Sequence, residues 1–61
     1  MDHKEMCIRW VEMRKFEWAS GYWQRCAPDG APFGEWYETE AELDDVLWPE
    51  ALDHAHEDFL P

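Results

Sequence analysis

The sequence predicts an α+β fold: a small antiparallel sheet of two or three strands, followed by an acidic C-terminal helix kinked or broken near Pro49. Three observations predict it. Two aromatic, strand-favouring segments, Gly21 to Cys26 and Pro32 to Tyr37, flank the turn-forming residues Ala27-Pro28-Asp29-Gly30. Leu43, Leu47, Ala51, Ala55 and Phe59 then recur every four residues, with Val46 beside them, as one helical stripe. A chain of 61 residues supports a single domain, here residues 1–61, and at that size only roughly 60% of the unfolded surface is buried.

The N-terminal third admits two readings. Alternation of Ile8, Trp10, Phe16 and Trp18, broken by Glu12 and Arg14, favours a strand within Met6 to Trp18 and a turn at Ala19-Ser20-Gly21. The rival is a helix capped by Asp2 with Glu5 three residues later, which places Met6, Trp10 and Met13 on one face. The strand reading, taken first, makes the chain β-β-β-α, a meander with a helix over one face. Its expected core is Ile8, Val11, Phe16, Tyr22, Phe33, Leu43, Val46 and Leu47.

In the hairpin, Pro28 presets φ for the turn and Gly30 tolerates positive φ. Tyr22, Gln24 and Cys26 should share one face, with Trp23 and Arg25 on the other. The helix opens on a capping box, Thr39-Glu40-Ala41-Glu42, in which Thr39 accepts from the Glu42 amide and Glu42 reaches back to the cap. Glu40 and Glu42 also sit where the positive end of the helix dipole favours anions. Pro49 loses a backbone hydrogen bond and crowds the preceding turn, so a kink or two shorter helices are expected there.

Charge is unevenly placed. The total is −10, yet residues 1–25 hold five basic and four acidic groups, while residues 26–61 hold eleven acidic groups and no Lys or Arg. Aromatic and branched residues threaded among those acids argue for a folded second half. A charge this negative repels nucleic acid and anionic membranes. Charged residues also recur too often for a spanning helix, which needs about 20 apolar residues. No direct nucleic-acid binding and no membrane association are expected, and a cytoplasmic location follows. Crowded carboxylates oppose one another's ionisation, so acidification toward about pH 4.5 is expected to relieve repulsion before it unfolds the chain.

Little in the chain offers chemistry. The single Ser20 and Thr39 have turn and cap duties, and no Gly-rich phosphate loop is present. Cys7 and Cys26 form no CxxC motif and read as reduced, buried thiols. His54 and His56, two apart on a helix, diverge, although Asp53/Glu57 and His54/Asp58 have i, i+4 spacing. No catalytic residue, cofactor or metal is therefore expected.

What remains is the acidic array. Glu38, Glu40, Asp44, Asp45, Glu50 and Asp53 have no basic residue near them in sequence, and they form the expected partner-binding set. Carboxylates along a helix coarsely imitate a phosphate backbone, which carries one phosphate per about 3.4 Å of axis on each strand. A protein groove lined by Lys and Arg that normally holds nucleic acid is the expected partner. An alternative is an interaction module that binds through exposed Trp residues among Trp10, Trp18, Trp23 and Trp36, the acids then serving solubility.

In size, charge and local pattern the chain resembles the small acidic phage-encoded anti-defence proteins, the anti-CRISPR and anti-restriction DNA mimics. The segment Gly21 to Leu43 carries the likeness, with its Pro28-Asp29-Gly30 turn and the Trp36-Tyr37-Glu38-Thr39-Glu40-Ala41-Glu42 lead into a helix. A monomer or small homo-oligomer is expected, and the resemblance implies that its cytoplasm is that of the host cell. It implies inhibition by occupying the DNA site of a CRISPR effector or restriction enzyme.

Overall fold

The computed structural model describes residues 2–59. Along the chain run α1 (His3–Glu12), β1 (Lys15–Glu17), β2 (Trp23–Cys26), β3 (Pro32–Tyr37) and α2 (Glu40–Phe59). The strands form one antiparallel sheet in the order β1-β2-β3. The α+β class, the sheet and the C-terminal helix are as the sequence predicts.

The N-terminal third departs from the strand reading. A strand occupies only Lys15–Glu17, and a helix precedes it. Asp2 caps that helix, its Oδ1 accepting from the Glu5 amide at 2.7 Å. Helical phase turns Met6, Cys7, Trp10 and Val11 inward and leaves Ile8 45% exposed. Met13, which the helical alternative set on one face with Met6 and Trp10, lies at the C-cap and is exposed. The preference of Trp and Ile for strands was outweighed because only a helix brings four apolar side chains onto α2 at once.

The core consists of those four α1 residues together with Leu43, Leu47, Ala51 and Ala55 of α2, with Trp23, Tyr37 and Phe59 packed against it. The every-fourth-residue stripe is thus the buried face of α2. Small residues matter at its centre: Cys7 Sγ lies 3.5 Å from the Ala51 carbonyl oxygen, an approach a larger side chain at position 51 would obstruct. Of the core expected from sequence, Val11, Leu43 and Leu47 are buried, Phe16 and Val46 half-buried, and Ile8, Tyr22 and Phe33 exposed.

Helix α2 is unbroken through Pro49, so the two-helix alternative is not seen. Pro49 and Asp45 both lie on the exposed side. The carbonyl of Asp45, which loses its usual donor, can therefore turn to water. At the N-terminus Thr39 Oγ1 accepts from the Glu42 amide at 3.2 Å. The Glu42 carboxylate reaches one residue past the cap, accepting from the Glu38 amide at 3.1 Å.

The hairpin forms where expected. Gly30 donates to the Ala27 carbonyl at 2.8 Å with φ of 91°, and Asp29 Oδ1 accepts from the Ala31 amide. Gln24 and Cys26 are buried, while Trp23 and Arg25 face α2. An irregularity in the ladder sets two β3 residues, Gly34 and Glu35, between the pairs Gln24↔Trp36 and Arg25↔Phe33. Gly34 has φ of 83°, and a Cβ there would lie 3.3 Å from Arg25 Cδ, so glycine leaves room for the arginine to cross the sheet.

Candidate interaction surface

Three ties join the basic first half of the chain to the acidic second half. Arg25 grips Glu50 with both terminal nitrogens, Nη1 donating to Oε2 at 2.7 Å and Nη2 to Oε1. Lys15 Nζ donates to Glu40 Oε2 at 3.1 Å and lies 2.9 Å from Asp44 Oδ1, an ion-pair distance without hydrogen-bond alignment. Asp58 Oδ2 accepts from Trp10 Nε1 at 2.5 Å and from Arg14 Nη2 at 3.0 Å, while the Arg14 guanidinium rests over the Trp10 ring. The charge segregation read in the sequence is thus partly cancelled in space.

Ionisation responds accordingly. The hydrogen bonds from Arg25 hold the Glu50 carboxyl below its ordinary 4.5, against a smaller opposing effect of burial. Burial opposes the Lys15 charge, but Asp44 and Glu40 together outweigh it and lift the ammonium above its ordinary 10.5. Glu50 therefore moves opposite to the direction expected from crowding.

These ties divide the six acids singled out from the sequence. Glu40, Asp44 and Glu50 are held by Lys15 and Arg25, cations that lie far from them in sequence but near them in space. Glu38, Asp45 and Asp53 are exposed and have no cation at ion-pair distance among the described residues. On α2, Glu42 and Glu57, outside the expected set, are also exposed and without a cation at ion-pair distance among the described residues. At 100° per residue, positions 42, 45 and 53 fall within about 40° of the direction opposite the buried stripe, and position 57 lies on its exposed flank. The signal was present in the sequence: the stripe sets the helix phase, and these acids lie outside it.

The resulting row spans about 22 Å along the axis, a length over which one DNA strand carries about six phosphates. Four carboxylates occupy that length. Glu38 extends the row before the helix begins.

A second surface lies on the sheet face turned away from α2. Phe16, Gln24 and Trp36 stand in register across the three strands. Trp18 stacks on Trp36 with centroids 5.3 Å apart and planes 7° from parallel, and Phe16 and Tyr22 meet the pair edge-on. The cluster roofs over Gln24, whose Oε1 accepts from Trp18 Nε1 and whose Nε2 donates to the Gly34 carbonyl. Trp36 remains 57% exposed and Tyr22 41% exposed. Of the other tryptophans in the alternative set, Trp10 is buried and Trp23 packs on the core.

Cys7 and Cys26 are buried free thiols. His56 lies nearer to His3 of α1 than the sequence foretells, their ring centroids 6.3 Å apart. Among the described residues no three His, Cys, Asp or Glu side chains form a group able to hold a metal ion, and no helix is long and apolar enough to cross a membrane. No protein-family model, no curated protein sequence and no solved structure matches the chain.

Proposed function

We propose that the protein is a non-catalytic inhibitor that occupies the Lys- and Arg-lined nucleic-acid groove of a bacterial defence complex, a CRISPR effector or a restriction enzyme, in place of DNA. The observation that supports this reading best is the row Glu42, Asp45, Asp53 and Glu57 on the outward side of α2, preceded by Glu38. None of these acids has a cation at ion-pair distance among the described residues, whereas Arg14, Lys15 and Arg25 meet Asp58, Glu40, Asp44 and Glu50. Docking such a row in a basic groove releases the cations gathered along the carboxylates, as docking DNA releases those along its phosphates, and long-range attraction speeds encounter.

The exposed Trp36 and Tyr22, which lie on the sheet face turned away from α2, favour a second reading. In it, an aromatic hot spot binds the partner and the acids serve solubility. One experiment separates the two. The protein is used to capture partners from bacterial lysate at rising salt, with and without competitor DNA, beside a Glu42→Gln/Asp45→Asn/Asp53→Asn variant and a Trp36→Ala variant. The mimic reading expects capture of nucleic-acid-binding proteins that DNA and salt displace and that the charge variant loses. Capture indifferent to DNA and to the charge variant, but lost with Trp36→Ala, replaces it with the aromatic reading.

A further inference from the structure

Beside the outward row, α1 and α2 leave a groove of about 290 Å³ between them. Drug-sized ligand pockets run from about 300 Å³ to 1,000 Å³, so this one has room for about one long side chain. Its floor is apolar: Ile8, 45% exposed, Val11, and the indole of Trp48, 37% exposed. Its rim carries the carboxylates of Glu12, Asp44 and Asp45 against a single ammonium, that of Lys15. That ammonium is already committed to Glu40 and Asp44, and Glu12 and Asp45 have no cation at ion-pair distance among the described residues.

We infer that this groove receives an arginine side chain of the basic partner protein. The inference rests on the proposed reading in taking that partner to be basic. The chemistry of the groove selects the occupant. An apolar floor beneath an anionic rim suits a side chain with a hydrocarbon stem and a cationic end. A planar guanidinium can also stack on an indole and bond two carboxylate oxygens at once, and it is less tightly hydrated than an ammonium. A second copy of this chain would bring further acids to the same rim, which like-charge repulsion disfavours. A nucleic-acid phosphate is repelled for the same reason.

The test is an NMR titration of the full-length, nitrogen-15-labelled chain with N-acetyl-arginine amide, N-acetyl-lysine amide and the neutral isostere N-acetyl-citrulline amide. Arginine amide should shift the Trp48 indole N–H and the Val11 and Asp45 amides saturably. Lysine amide should bind about tenfold more weakly, having no stacking plane, and citrulline amide should have no saturable effect. Glu12→Gln, on the exposed rim, should weaken the arginine response severalfold, and Trp48→Ala should remove it. Equal shifts for arginine and citrulline, an unchanged response in Glu12→Gln, or shifts centred on Trp36 instead of Trp48 would each overturn the inference. A Glu42→Gln/Asp53→Asn/Glu57→Gln variant, altered only in the outward row, should titrate like the parent. Loss of DNA-competable capture in that variant bears on the mimic reading alone, and failure of the arginine titration bears on the groove alone.

Discussion

Two sides of α2 carry the same kind of residue to different ends. Toward the sheet and α1, Glu40, Asp44, Glu50 and Asp58 meet Lys15, Arg25 and Arg14, and each tie fixes the helix against another element. On the far side Glu42, Asp45, Asp53 and Glu57 meet water. The difference teaches that an acidic helix is not uniformly an acidic surface. Carboxylates within reach of a half-buried cation become part of the fold, and those beyond its reach remain for a partner. Count of charge in sequence overstates what a partner can use.

The strongest way to break the comparison is to remove the seam on which it depends. Leu47 is fully buried between the two sides, and Leu47→Ala should cost about 2–5 kcal/mol in denaturant unfolding. A cost near zero would mean that α2 does not pack in this orientation, and the distinction between its sides would fall with it.

Glu50→Gln tests the inner side. The substitution removes the charge that Arg25 grips with both nitrogens, in a pair that is partly exposed, so a loss of about 1 kcal/mol is expected in urea unfolding at pH 7. An inner acid that could be neutralised without cost would be indistinguishable from an outer one.

Acid titration sharpens the same point. The folded-state pKa of Glu50 lies below its ordinary 4.5, with the Arg25 hydrogen bonds as the main cause. A depressed carboxyl stabilises the fold fully above its unfolded value, and that stabilisation is lost as pH falls through the lower folded value. The urea midpoint of the parent should therefore decline below about pH 4.5, and the decline should be shallower in Glu50→Gln. Superimposed pH profiles for the two proteins would deny the pair its role. The sequence alone pointed the other way, toward relief of repulsion, because it could not place Arg25 beside Glu50.

The smallest effect on stability is expected outside. Glu42→Gln, Asp45→Asn and Asp53→Asn together should move unfolding by no more than about 0.5 kcal/mol apart from the Glu42 contact to the Glu38 amide. The same variant should associate more slowly with a basic partner, with a flatter salt dependence, when followed by stopped-flow or surface binding kinetics. A large loss of stability would show that the outward acids are also part of the fold.

Local features were legible in the sequence because their causes are local. Pro28, Asp29 and Gly30 set the hairpin turn within four residues, Thr39 and Glu42 mark the start of α2 within one helical turn, and the spacing of Leu43, Leu47, Ala51 and Ala55 is the period of the helix itself. From that phase alone the outward position of Glu42, Asp45, Asp53 and Glu57 could be drawn. Residues 3–17 were different. Ile8 and Trp10 suit a strand, Asp2 and Glu5 suit a helix, and burial of Met6, Cys7, Trp10 and Val11 against Ala51 and Ala55 decided between them. That surface exists only once α2 has folded. Tertiary structure likewise decided which acids are spent, since Lys15 and Arg25 stand 25 positions before Glu40 and Glu50 and reach them only across the sheet. Packing also opened the groove between Ile8 and Trp48. Helical and strand periodicity act over a few residues and can be read along the chain, whereas ion pairing and burial depend on distances that the chain closes only by folding.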